Sequence, residues 1–309
     1  MGNCYSSSIS VPSGVIQGSS VGPTAFLIYI NGLPLCVKHS KLYLFADDPK
    51  LARSITCPND CHLLQIDLDS IYQWSVNWYL PVNVSKLAHM HIGFRTAPFI
   101  YTFNDCQIMQ VHSFKDLGVI IDDKLTFHEH INSISVSAHR LCAMTFRAFS
   151  LRNLNFLNKV FSIYIRPKLE YASTVWCPQT KGDVVKLERV LRLFTKRIPK
   201  LRELNYAARL SAMHMPSLVQ RRQMIDTCQL HKIVHGQSAL KLSDFHIAAT
   251  TISTLRSAGK SLNYPTAHTS IRNNFFSHRA VRTWNNLPDS ILIKGRSAIK
   301  RHFEAIGLS

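Results

Sequence analysis

Leu42, Leu44 and Ala46 alternate with Tyr43, Phe45 and Asp47, the period of two shown by a strand with one covered face. Asp47 falls on the face of Tyr43 and Phe45, and Asp48 begins a turn. Pro49 disfavours a continued central strand, so residues 51–55 are expected to return antiparallel. The predicted unit is a hairpin tipped with two acids. Leu64, Leu68, Ile71, Trp74 and Trp78 then recur at helical spacing, with Asn59 and Asp60 as N-cap residues and Pro81 beyond the end. Short strands are expected at 88–93, 99–103 and 117–121. From His130 the period changes: Ile131, Ile134, Ala138, Leu141, Thr145 and Phe149 mark one helix, and residues 156–165 a second that stops before Pro167. Over 184–198, Leu187, Val190, Leu191, Phe194 and Ile198 share one arc, while Lys186, Arg189, Arg192, Lys196 and Arg197 share the opposite one. Residues 1–24 read as a loop, and the Ser-, Thr- and Asn-rich stretch 237–274 as a looser linker. The class is α+β, with a mixed first third and a mainly helical remainder.

The composition permits a sizeable core: 46% of the 309 residues are hydrophobic and 17% charged, which argues against disorder throughout. Charge divides the chain. Residues 1–133 hold 8 basic and 10 acidic side chains, and residues 134–309 hold 28 and 8. A segment of net charge +20 suits a polyanion, either nucleic acid or an anionic membrane surface. Eight scattered cysteines do not form a disulfide framework, so a reducing, intracellular setting is expected, nucleus or cytoplasm unresolved. No apolar run reaches the ~20 residues of a membrane span, and the start lacks a secretory pattern. Gly2 and Cys4 fit an acylation pattern, Met-Gly-x-x-x-Ser.

Asp47-Asp48 is the pair that matters chemically. Adjacent carboxylates repel unless they share a cation, and Asp with open octahedral positions suits Mg2+ and phosphoryl transfer. Around this pair the chain resembles the reverse transcriptases of non-LTR (LINE-like) retrotransposons. Gln17-Gly18-Ser19, Gly22-Pro23, the run from Phe26 to Asn31 and Leu33-Pro34 resemble that family's motif B, and Phe45-Ala46-Asp47-Asp48 resembles its metal-binding motif C. Trp74, Asn83, Ser85 and Lys86 resemble motif D. The run from Lys115 to Val119 resembles the strand at the palm-to-thumb junction. Pro167, Leu169-Glu170-Tyr171, Val175-Trp176, the run from Asn274 to Arg279, Trp284-Asn285 and Leu287-Pro288 resemble the thumb and C-terminal region.

The resemblance implies an RNA-directed DNA polymerase acting on an RNA template, a DNA primer and deoxynucleoside triphosphates with Mg2+ or Mn2+. Asp47 would ligate the metal and Asp48 assist or orient it. Gln17, Gly18, Ser19 and Phe45 would meet template or nucleotide, and Lys86 would protonate the pyrophosphate leaving group. Lys186, Arg189, Arg192, Lys196, Arg197, Arg221 and Arg222 would contact the nucleic-acid backbone. It also implies an unstructured start at 1–12, a partial palm of antiparallel sheet and helices at 13–129, a helical thumb at 130–210 and a basic C-terminal helical region at 211–309.

Several positions depart from the family pattern. Residues 1–46 contain no Asp or Glu, although the family draws a further metal-binding Asp from a strand upstream of motif B. Pro49, Gly32 and Ile16 stand where a small hydroxyl residue, an Asp and a Pro are usual. A lost metal ligand costs on the order of 10³-fold in rate, so no useful activity is expected of this chain alone. Two other readings share the charge asymmetry: a non-enzymatic nucleic-acid-binding remnant, and lipid binding through the basic helix. Cys57 with Cys61, and Cys228 with His231 and His235, supply no complete metal-ligand set, nor do His89 with His91 or His128-Glu129-His130. Hydrolase and ATPase motifs are absent. Nothing in the sequence specifies an oligomeric state.

Overall fold

The computed structural model describes residues 14, 18–93, 99–150, 153–249, 261–264 and 266–306. The chain forms two compact units, Met1–His112 and Ser113–Ser309. Helix dominates, and every strand described pairs in a two-stranded sheet, consistent with the α+β class.

In the first unit, α1 (Gly22–Ile30) starts where the Ser19 hydroxyl accepts from the Gly22 N–H at 3.1 Å, with Pro23 in the first turn. A 3-10 turn, Leu33–Cys36, leads to the antiparallel pair β1 (Lys41–Phe45) and β2 (Asp48–Ala52). The following helix, α2 (Pro58–Asn77), is capped differently from the sequence expectation. Cys57 is the N-cap and Pro58 opens the helix, while Asp60 turns back to accept from the Cys57 N–H at 3.0 Å. Ile30, Leu33, Cys61, Ile71, Trp74, Tyr101, Phe103 and Ile108 make the core, with Leu42 and Leu44 packed against it.

The antiparallel sheet expected here is instead broken into pairs. β4 (Thr102–Phe103) and β5 (Cys106–Gln107) turn through Asn104 and Asp105, both at positive φ, and β3 (Ala88–His89) pairs in parallel with β6 (Met109–Gln110).

The second unit begins with β7 (Ser113–Asp116) and β8 (Val119–Asp122). The single strand expected at 117–121 is therefore a hairpin, its turn formed by Leu117 and Gly118 at φ 43° and 84°. There follow α3 (His128–Ala148), α4 (Leu154–Val160), a π-helical turn Phe161–Ile165, and α5 (Arg166–Glu170). The helix expected to stop before Pro167 passes through it. The π turn, in which the Arg166 N–H reaches the Phe161 carbonyl, precedes the residue that lacks an N–H and accommodates it.

Three helices complete the first core of this unit, α6 (Ser173–Trp176), α7 (Lys181–Lys196) and α8 (Tyr206–Ala212). In that core Ile131, Leu157, Phe161, Ile165, Leu169, Trp176, Leu187 and Leu191 are all fully buried. α9 (Leu218–Val234) carries Leu218 into this core and Met224, Leu230 and Ile233 into a second one. The short helix α10 (Ser270–Asn273) comes next, and the second core is closed by α11 (Phe276–Asn285), α12 (Asp289–Ile293) and α13 (Arg296–Ile306). The described part of 237–274 holds a 3-10 turn, Leu242–Phe245, and the short pair β9 (Ala248–Ala249) and β10 (Leu262–Asn263).

Candidate functional site

The carboxylate pair sits at the end of the β1–β2 hairpin. Leu42 and Leu44 pack inward, and Tyr43 and Phe45 are exposed. The turn comes earlier than alternation suggests. Phe45 pairs with Asp48, so the two turn residues are Ala46 and Asp47, and Asp48 opens β2. Asp47 therefore leaves the strand face it was expected to share with Tyr43. Ala46 holds φ 51°, a left-handed conformation that costs a residue with a Cβ about 1–2 kcal/mol. Pro49 fits because it lies opposite Leu44. In a two-residue hairpin that is a non-hydrogen-bonded pair, whose N–H would point away from β1. Both carboxylates are exposed.

Residues that sequence reading missed hold this hairpin at both ends. At its entry, the Asp67 carboxylate on α2 is almost fully buried and accepts from the Lys38 N–H at 2.9 Å and the His39 N–H at 3.0 Å. At its exit, Arg53 donates to the His39 carbonyl and to Asp60 at 2.7 Å. Asp60 also accepts from the Thr56 N–H and hydroxyl. The Thr56 donors, followed by Arg53, hold its carboxyl well below the usual carboxylate range. An acid four or more residues inside an amphipathic helix reads as a solvated position, so only its burial could have revealed Asp67.

Gln17 lies outside the described residues. Gly18 adopts φ 85° with open space around it, so its backbone conformation is what favours glycine there. The Ser19 hydroxyl accepts from the Gly22 N–H at the start of α1. Ile30 and Leu33 beyond it join the same core as the hairpin. Lys86 is exposed at the end of a 3-10 turn, where Asn83 accepts from Ser85 N–H at 3.1 Å.

The basic face of α7 is real but smaller than the sequence suggested. Arg189, Arg192, Lys196 and Arg197 are exposed. Arg192 lies over the Tyr206 ring at 4.4 Å and Arg197 over Phe146 at 5.7 Å, which orients both guanidiniums. Burial and then the charges of Arg189 and Arg197 push the His139 imidazole down, which places those two arginines beside α3. Lys186 is engaged by Asp183 at 3.6 Å and by Asn132.

Arg221 and Arg222 are corrections. Arg221 makes a two-pronged bond to Glu170, 2.7 Å on each prong. Arg222 is only 3% exposed, inside a cluster with Glu188, Asp226 and Cys177. The Arg221 guanidinium is spent on Glu170, and Arg222 lies too deep to meet a phosphate. Arg279, in the stretch that resembles the family's C-terminal region, has the same structural duty: it bonds Asp226 at 2.7 Å and the carbonyls of Asn274 at 2.7 Å and Thr174 at 2.5 Å. His128 pairs with Asp183, and His130 is buried against Trp176. Among the described residues no group of three or more His, Cys, Asp or Glu could hold a metal.

Comparison with known proteins finds relatives for part of the chain. The chain is 31% identical over 186 residues to the RNA-directed DNA polymerase from mobile element jockey of Drosophila funebris, covering 56% of this chain and 20% of that protein. The jockey polymerase of Drosophila melanogaster is 30% identical over 207 residues, 62% of this chain and 22% of its own length. The chain is a relative of the RNA-directed DNA polymerases of non-LTR retrotransposons. A probable polymerase from transposon X-element of Drosophila melanogaster, 26% identical over 200 residues, extends the set of polymerase relatives. The chain spans about a fifth of the length of these three polymerases. No protein-family model matches it, and no solved structure matches significantly. No helix among the described residues is long and apolar enough to cross a membrane.

Proposed function

We propose that this chain is a segment of a retrotransposon reverse transcriptase, contributing the metal-binding turn and a nucleic-acid-tracking helical module. The observation that carries the reading is the exposed Asp47-Asp48 turn, fastened to α2 at both ends, in a chain whose relatives are RNA-directed DNA polymerases. Within it, the first unit corresponds to part of a palm and the start of the second to a thumb.

Two exposed carboxylates fit Mg2+ or Mn2+, which take one or two protein carboxylates together with substrate phosphates. Asp47 would hold the metal and Asp48 assist. Bound there, the ion would neutralise charge on the triphosphate and favour the attacking oxygen. The chain's own residues do the rest. Phe45, Gln17, Gly18 and Ser19 would bound the template and nucleotide, Lys86 would supply a proton to pyrophosphate, and Arg189, Arg192, Lys196 and Arg197 would grip the backbone of template and primer. All eighteen acidic residues are among those described, and none joins Asp47 and Asp48 in a group of three ligands. Incorporation by the chain alone is therefore expected to be negligible.

Two experiments test this. Mn2+ titration should broaden NMR signals of residues 45–50 in the chain as it stands, and Asp47→Ala with Asp48→Ala should abolish the broadening. A jockey polymerase whose matched segment is exchanged for this chain should extend a DNA primer on RNA and lose extension with Asp47→Ala. A folded chimaera that does not extend would refute the reading. Primer extension by the isolated chain, lost in Asp47→Ala, would refute the expected inactivity.

A further inference from the structure

The helix pair α9 and α13 forms a second cationic surface. The two helices share a core, in which Met224, Leu230 and Ile233 of α9 meet Ile299 and Phe303 of α13. They run antiparallel. Gly295, just before α13, lies by His231 near the end of α9, whereas the charge of Glu304 near the end of α13 acts on Arg221 near the start of α9. Along the seam, Arg221, Cys228 and Lys232 fall on one stripe of α9, and Arg296 and Lys300 lie one turn apart on α13.

Cys228 lies half-buried between them, and four cations act on its thiol: Lys300, Arg296, Lys232 and Arg221. Burial still pushes the thiol up, so it is a floor residue and not an activated nucleophile, slow to alkylate. Glu170 and Glu304, the carboxylates that act on Arg221, sit at that end of the seam. Arg296, Lys300 and Arg301 are exposed.

We infer that the α9–α13 seam is a phosphate-backbone binding groove for single-stranded or duplex nucleic acid, contacted by Lys232, Arg296 and Lys300. The inference rests on the polymerase reading for the kind of polyanion, and it adds a contact surface beyond α7. Lipid fits less well: the only large apolar side chain exposed on the described part of either helix is Val219, whereas membrane-surface helices insert an apolar face.

The test uses the full chain and a fluorescent 20-nucleotide RNA. Reversing the groove, Lys232→Glu with Arg296→Glu and Lys300→Glu, should weaken binding by about 10–100-fold and reduce the magnitude of the log K against log salt slope by about 2. RNA should also slow alkylation of Cys228 in the unmodified chain, relieved by high salt, with Cys57 and Cys106 of the first unit unaffected. Equal thermal unfolding of variant and parent shows that the surface change leaves the fold intact. RNA binding unchanged in the groove variant, lost on reversing Arg189, Arg192 and Lys196, and leaving Cys228 unprotected would overturn the groove and spare the polymerase reading. Binding to phosphatidylserine vesicles, with none to RNA, would overturn the groove as stated, while chimaera extension would still report separately on the polymerase.

Discussion

The two units solve stability differently. In the first, no core side chain is less than 3% exposed, and the hairpin is held by hydrogen bonds accepted by Asp67 and Asp60 and donated by Arg53. In the second, many apolar side chains are wholly buried, and ion pairs such as Arg279 with Asp226 are sealed among them. Charge follows the same division: the first unit holds 6 basic and 6 acidic residues, the second 30 and 12. A thinly covered, neutral unit can leave two carboxylates exposed on a short turn. A deeply buried one can tolerate the mutual repulsion of a cationic surface.

The sharpest way to break this contrast is Trp176→Ala. Trp176 is fully buried, and its Nε1 donates to the Tyr171 carbonyl at 2.6 Å. Its loss should destabilise the second unit by about 3–5 kcal/mol in denaturant unfolding, with hairpin amide exchange in the first unit unchanged. Asp67→Ala probes the other side. Two backbone donors lose their acceptor, a cost of about 1.5–3 kcal/mol, and amides of residues 38–52 should exchange faster while the second unit keeps its midpoint.

Ala46→Gly should stabilise the first unit by about 1 kcal/mol, since glycine occupies the left-handed region without the Cβ penalty; a lower thermal midpoint would contradict the strained turn. The smallest effect is on pH. Burial, then Lys115, pushes His130 down, so the unfolded chain binds its proton more readily. Stability present above about pH 6.5 should decline as pH falls toward the folded value, and His130→Gln should flatten that decline. His139 and His231 are pushed down in the same unit and His89 in the first, so mild acid, above the range where carboxylates protonate, should weaken the second unit more.

Much of this was legible before any coordinates. Period-two alternation separated Leu42 and Leu44 from Tyr43 and Phe45, and period 3.6 found α2, α3 and α7, because one-sided burial writes itself into spacing. What alternation could not register is where a strand stops: Ala46 and Asp47 continue the pattern although the chain has already turned. Pro167 reads as a terminator, since only the wound backbone reveals the π turn that admits it. Arg221 reads as a surface cation because its carboxylate is elsewhere, Glu170 being 51 residues away, and Arg222 because nothing in the spacing shows that it is buried. Sequence distance conceals such pairs, whereas the adjacent Asp47 and Asp48 announced themselves.

Pro49 also bears on how molecules of this chain meet one another. The outward donors of β2 would come from residues 49 and 51, and proline removes the first, leaving Leu51 alone to offer an N–H along that edge. A foreign strand approaching there finds half a ladder, so an exposed hairpin flanked by Tyr43 and Phe45 is protected on that side from edge-to-edge self-association.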